Sequence, residues 1–171
     1  MQLYFGKSSR HIGRNVGYLI FILSIPLAAI ILYKSGISDY NKCLESRHEM
    51  IQLVDFYRAL NGLGELKEDT LLSEAAQNKA EDMAAYNYVG HYTQDGKNDA
   101  YFARELGIQY EKFGSNLART NLSNPAQDAL ELFKDSPIHD ATMRSPIFSE
   151  IGVGAAEGNG QCYYAHFFAR E

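Results

Sequence analysis

Residues 151–169 read IGVGAAEGNGQCYYAHFFA, and the architecture turns on this stretch. Ile151, Val153 and Ala155 alternate with Gly152 and Gly154, which is the two-residue period of a strand. Gly158-Asn159-Gly160 supplies a turn. Beyond it Cys162, Tyr164, His166 and Phe168 alternate with Tyr163, Ala165, Phe167 and Ala169. A hairpin with aromatic side chains on both faces cannot leave either face in water, so both must be covered.

The covers are upstream. Leu44, Met50, Ile51, Leu53, Val54, Tyr57 and Leu60 recur at mostly helical spacing until Asn61-Gly62 stops the pattern. Asp69 or Thr70 can cap a second helix, in which Leu72, Ala75, Ala76, Ala80, Met83 and Ala84 line one face while Glu74, Lys79 and Glu81 stay wet, and which ends near Asn87 to Gly90. A loop from His91 through Asp95-Gly96 leads to a weaker helical piece around Ala100 to Leu106, closed by Gly107. Asn124-Pro125 opens a helix carrying Ala126, Ala129, Leu130 and Phe133, and Ser136-Pro137 opens a short turn carrying His139. Helices first and an antiparallel sheet last, buried on both sides, predict an α+β fold: a three-layer α-β-α sandwich with a small antiparallel sheet.

One further helix precedes the domain. Val16 to Tyr33 is an uncharged, mostly aliphatic run broken by Gly17, Ser24 and Pro26, near the minimum length for spanning a bilayer. It follows Lys7, Arg10 and Arg14, and that order reads as a secretory signal peptide or an uncleaved signal anchor. The run exceeds the usual signal-peptide core and no small-x-small cleavage site follows it, so the anchor is the preferred reading. The organisation expected is a basic cytoplasmic segment at 1–15, a transmembrane anchor at 16–33, a linker at 34–45 and a domain at 46–171 outside the cytoplasm. Cleavage of the anchor would make that domain secreted. The membrane is thus a partner through residues 16–33.

Charge removes another class of partner. Of 16 Lys and Arg, the four in residues 1–34 face no acid; the remaining 12 stand against 21 Asp and Glu, a net −9 on residues 35–171. Long-range repulsion of a phosphate backbone excludes nucleic acid. Four Pro and 14 Gly beside 12 Tyr and 9 Phe exclude low-complexity and collagenous chains. The two cysteines, Cys43 and Cys162, sit near the ends of the exported part, where an oxidising compartment permits a bridge; two unrelated buried thiols are the alternative.

The string Leu53-Val54, Tyr57-Arg58, Asn61-Gly62 and Leu66, then Leu72-Ser73-Glu74-Ala75-Ala76-Gln77, Met83-Ala84 and Gly90-His91-Tyr92, resembles the CAP superfamily. That superfamily groups cysteine-rich secretory proteins, antigen 5 and plant pathogenesis-related proteins, and the chain looks most like its compact bacterial SCP-like members. Ser136-Pro137-Ile138-His139, Phe148-Ser149-Glu150-Ile151-Gly152-Val153-Gly154 and Tyr163-Tyr164 with Phe167 extend the resemblance, which covers about residues 46–169. It implies an α-β-α sandwich with a cleft lined by two histidines and two acids, often holding a divalent metal. His91 and His139 match the two histidines. Where the family shows Gly-Glu-Asn this chain has Gly114-Ser115-Asn116, and the second acidic position falls on Ser136, with Asp135 beside it. Imidazoles suit zinc, copper or nickel but need oxygen ligands to close a site, so the resemblance with these departures implies weak or absent metal binding at His91 and His139.

The ligand-binding cleft is therefore expected at His91, Ser115, Asn116, Ser136 and His139. Tyr86, Tyr88, Tyr92, Tyr101 and Tyr110 could line a groove for a lipid, sterol, peptide or glycan. His166, in an alternating aromatic strand, reads as packed, and the Asn121-Leu122-Ser123 sequon matters only where exported proteins are glycosylated. No Gly-x-Ser-x-Gly elbow and no His-Glu-x-x-His pair is present. The reading is a membrane-anchored, extracytoplasmic, non-catalytic ligand-binding domain. The alternative is a peptidase-like hydrolase using His91 and His139 with or without a divalent metal.

Overall fold

The computed structural model describes residues 27–170. The chain falls into two units, Met1–Gly36 and Ile37–Glu171, and the second holds the sheet. The expected cytoplasmic segment 1–15 and most of the anchor 16–33 lie outside the described residues. Among the described residues no helix is long and apolar enough to cross a membrane.

Helix α1 spans Leu27–Leu60. The polar stretch 34–45, expected as a linker, is helical along its length, and its Cys43 is buried in the core. Met50, Ile51 and Val54 are buried at helical spacing, whereas Phe56 and Leu60 on another face are exposed. Asn61-Gly62 ends the helix as expected, Gly62 taking the positive φ of 73° that a side chain resists. The buried Arg58 guanidinium pins this end by donating to the carbonyls of Gly64, Met143 and Ser145.

β1 (Lys67–Glu68) is short and polar. α2 (Thr70–Tyr86) is capped by Asp69, whose carboxylate accepts from Leu72 N at 2.7 Å, and ends at Asn87 in the left-handed region. α3 (Asp99–Glu105) is capped by Asn98; β2 (Lys112–Thr120) follows, then α4 (Pro125–Asp135) and α5 (Pro137–Met143), each opened by its proline. β3 (Glu150–Gly158) and β4 (Gln161–Arg170) form the hairpin read from the sequence. Its turn, Asn159-Gly160, has φ of 54° and 71°, the signature of a tight hairpin loop.

The sheet order is β1-β3-β4-β2. β1 runs parallel to β3, so the sheet is mixed, correcting the expectation of an antiparallel one. β2 pairs antiparallel with β4 along its whole length and sets Asn116 opposite His166 and Ser115 opposite Phe167. Neither β1 nor β2 stands out in the sequence: β1 has two residues, and β2 alternates no apolar with polar side chains.

The sheet has a core on each face. On one, Met50 and Val54 of α1 and Ala129, Leu130 and Phe133 of α4 meet Ile151, Val153, Tyr164 and Phe168. On the other, Leu72, Ala76, Ala80 and Met83 of α2 and Ala103 of α3 meet Tyr163, Ala165 and Phe167. Alanines line α2 because its backbone lies directly on β3: a Cβ at Gly152 would stand 2.2 Å from the Leu72 carbonyl carbon, and one at Gly154 2.2 Å from that of Ala76. Cys43 and Cys162 are joined as a disulfide with a Cα–Cα distance of 5.7 Å, which ties α1 to β4.

Candidate functional site

His91 lies in the loop after α2, held near α3 by a bridge between Tyr92 and Asn98. Its Nδ1 is 2.6 Å from Oδ2 of Asp99, the first residue of α3. Ser115, arriving on β2, donates its hydroxyl to the same oxygen at 2.7 Å and stands 3.3 Å from His91 Nδ1. The second Asp99 oxygen faces the Lys79 ammonium at 3.3 Å. Lys79 is 0% exposed, which corrects its reading as a wet residue of α2, and Asp99 is 4% exposed. Lys79 also donates to the Tyr88 hydroxyl at 3.0 Å, and that hydroxyl donates to Asp82.

Asp99 and Lys79 are the site residues that sequence reasoning missed. An aspartate at the first turn of a helix reads as an ordinary partner of the helix dipole, so Asp99 carried no distinguishing signal. Lys79 did carry one, since it lies four residues after the buried Ala75 and four before the buried Met83.

The acid dictates the electrostatics. Asp99, by accepting the Nδ1 hydrogen, raises the pKa of His91 against the opposing effects of burial and of Lys79. The His91 side chain is half-exposed, on a shallow depression of about 180 Å³ shared with Tyr92, Asn98, Asp99, Ala100, Phe113 and Ser115.

His139, on α5, is not among the residues lining that depression. Its pKa is lowered, by burial and then by the charge of His91. Its ring packs edge-on to Phe133 at 5.4 Å. Asn116 does not reach solvent: it is fully buried and donates to the His139 backbone carbonyl at 2.9 Å. Ser136 joins α4 to α5, and its backbone is bonded to Phe133 and Asp140 rather than to either histidine. Beneath His139, the fully buried His166 has both ring nitrogens unpartnered among the described residues, and burial pushes its pKa down to about 3.

The donor set is a poor fit for a metal. Asp99 Oδ2 accepts from Ser115 and lies against His91. Asp99 Oδ1 accepts no hydrogen bond among the described residues but has its charge answered by the Lys79 ammonium at 3.3 Å. Two imidazoles alone leave a cation without charge compensation. Among the described residues no group of three or more His, Cys, Asp or Glu side chains is placed to hold an ion. The tyrosines do not share one groove either. Tyr88 and Tyr110 pack against the core beneath α2, Tyr92 borders the His91 depression, and Tyr86 with Tyr101 lines a different cavity.

Comparison with known proteins gives the same fold. Over 136 residues the chain is 26% identical to the uncharacterized protein YkwD of Bacillus subtilis, covering 80% of this chain and 49% of that protein. The crystal structure of an extracellular protein with an SCP domain from Bacillus anthracis superposes with a TM-score of 0.67 at 20% identity, over 74% of this chain and 41% of that one. An outer surface protein of Borrelia burgdorferi matches with a TM-score of 0.67 at 14% identity, over 74% and 93% respectively. The chain thus spans about half the length of its Bacillus relatives or less. The model of the cysteine-rich secretory protein family, CAP, matches residues 51–169, most of the chain, and the chain belongs to that family.

Proposed function

We propose that this chain is an extracytoplasmic CAP domain, tethered to a membrane by residues 16–33, that binds a ligand at His91 and does not turn it over. One observation carries the non-catalytic reading. A serine nucleophile needs its hydroxyl on the imidazole nitrogen opposite the acid, where the ring can take its proton. Here Ser115 and Asp99 share the Nδ1 side, and the Ser115 hydrogen is given to Asp99 Oδ2. Ser115 therefore steadies the carboxylate, and the pair fixes the ring with Nε2 free for a ligand. Protonated, that nitrogen donates to a carboxylate, phosphate or carbonyl, groups found on lipids, peptides, glycans and partners at an envelope or host surface.

The extracytoplasmic setting rests on the basic-then-apolar order of residues 7–33 and on the relatives described as extracellular and outer-surface proteins. Mass spectrometry of the chain from its native membrane tests the anchor, and a mature terminus after Lys34 overturns it. The opposing reading, a hydrolase, is favoured by the Asp99–His91 pair, which is also how a general base is held. Ester and peptide libraries separate the two. Saturable calorimetric binding without turnover, accompanied by shifts of the His91 ring signals and lost in His91→Ala, supports binding; turnover lost in both His91→Ala and His139→Ala replaces it with hydrolysis.

A further inference from the structure

A second cavity, of about 500 Å³, opens beside the end of α2, the loop at 93–97 and α3. It shares no lining residue with the His91 depression. We propose that it is a binding site for an organic ammonium group, held between the rings of Tyr86 and Tyr101 and the carboxylates of Asp82 and Asp95.

The wall combines what an ammonium ion needs, ring faces and fixed carboxylates. Tyr86, Tyr101 and Phe102 supply the rings; Asp82 and Asp95 supply two negative charges against the single ammonium of Lys97. Asp82 is fixed in place, since one of its oxygens accepts from the Tyr88 hydroxyl, itself held by the buried Lys79. Asp95 is held by the Thr93 hydroxyl at 2.5 Å and kept well ionised by it and by Lys97. Tyr86 is 58% exposed.

The chain also carries an internal copy of the recognition. The Lys97 ammonium lies 4.5 Å from the centre of the Tyr101 ring and 3.1 Å from Asp95. On the inner side, the Lys79 ammonium stands 5.6 Å from the centre of Phe102. Lys97 and Asp95 are both well exposed, and a surface ion pair of this kind is easily displaced. A ligand ammonium can therefore take the place of Lys97. An anion would meet two carboxylates, and an apolar ligand would have to desolvate three charges. Two sources share the favoured chemistry: a lysine side chain of a peptide and a choline-type headgroup.

The test uses the full-length chain, titrated by calorimetry and NMR with choline and with Nα-acetyl-lysine methylamide, and with acetate as the control. Saturable binding of either cation is expected. Choline the tighter points to a quaternary headgroup, the lysine derivative the tighter to a peptide side chain, and equal affinity to the shared chemistry. Tyr86→Ala weakens binding about two- to fivefold, the size of one exposed cation–ring contact, and Lys97→Ala, removing the internal competitor, tightens it by a similar factor. Asp82→Asn weakens it as well. His91→Ala leaves it unchanged, so the outcome is independent of the function proposed for the His91 cleft. Tyr86 is exposed, so its loss leaves the fold intact and the result interpretable. Absence of binding by both cations, binding of acetate instead, or weaker binding in Lys97→Ala overturns the proposal.

Discussion

Replacing Lys79 by methionine keeps an unbranched side chain, one heavy atom shorter, and removes its charge and hydrogen-bonding. In the native fold the ammonium faces Asp99 at 3.3 Å and donates to Tyr88 at 3.0 Å, with Lys79 0% and Asp99 4% exposed. Solvent does not screen a pair at that depth, and the discount owed to surface ion pairs does not apply. The variant leaves a buried carboxylate held by Ser115 and His91 alone, and breaking one side of such a pair costs about 3–5 kcal/mol. That is a large share of the roughly 5–15 kcal/mol that holds an ordinary domain together, so the variant folds but with a markedly lower urea midpoint. The second effect reaches the cleft. Lys79 lowers the pKa of His91, so its removal moves that value further up, read from the ring-proton shift against pH. A merely structural lysine would change the first observable and leave the second alone. The double variant Lys79→Met/Asp99→Leu should recover much of the lost stability, because an apolar replacement of both partners leaves no orphaned charge. A loss below about 1 kcal/mol with an unmoved His91 titration would refute the closed Lys79–Asp99–His91 cluster.

His166 has a folded pKa of about 3, below its unfolded value, so the neutral ring favours the fold above the unfolded pKa; stability falls as pH drops from about 6.5 toward 3, by up to about 1.4 kcal/mol per unit for this one proton, and His166→Phe flattens that limb of the denaturation curve. His91 runs the other way: its raised pKa contributes stability that is complete below the unfolded value and lost as pH rises through the folded one, so His91→Gln removes a decline on the neutral side of the same curve. Gly154→Ala drives a methyl group to 2.2 Å from the backbone of α2 and should cost at least about 2 kcal/mol, against a negligible effect of Gly64→Ala, where nothing lies within 4 Å. Cys162→Ser opens a covalent loop with a sequence separation of 119, and the chain-entropy account puts the loss at about 4–5 kcal/mol, checked by thermal unfolding with and without reductant.

The frame of the molecule could be read from residues whose spacing admits one geometry. The hairpin at 150–170, with aromatics on both faces and a Gly-Asn-Gly turn, demanded two covering layers, and capping residues at Asp69, Asn124 and Ser136 marked where helices begin. β1 and β2 escaped because their identity as strands comes from their partners: two polar residues become a strand by lying beside Glu150 and Ile151, and 112–120 by lying beside β4. Of the residues expected at the cleft, the fold brings only some together. His91 and Ser115 meet, while Asn116 and Ser136 belong to the scaffold around His139.

The instructive gap is the acid. Read position by position, the resemblance implies a carboxylate where Ser115 stands, which suggests a cleft without its charge. The fold shows it supplied from α3 by Asp99, which occupies the space beside Ser115 and bonds to it. Two side chains that begin on different elements cannot be compared by alignment, because their coincidence exists only after α3 packs under the loop that carries His91. Asp99 Oδ2 is committed to His91 and Ser115, and Oδ1 faces the Lys79 ammonium at 3.3 Å. On the ligand-binding reading proposed above, this arrangement supports the His91 imidazole and leaves its Nε2 as the group that would meet a ligand.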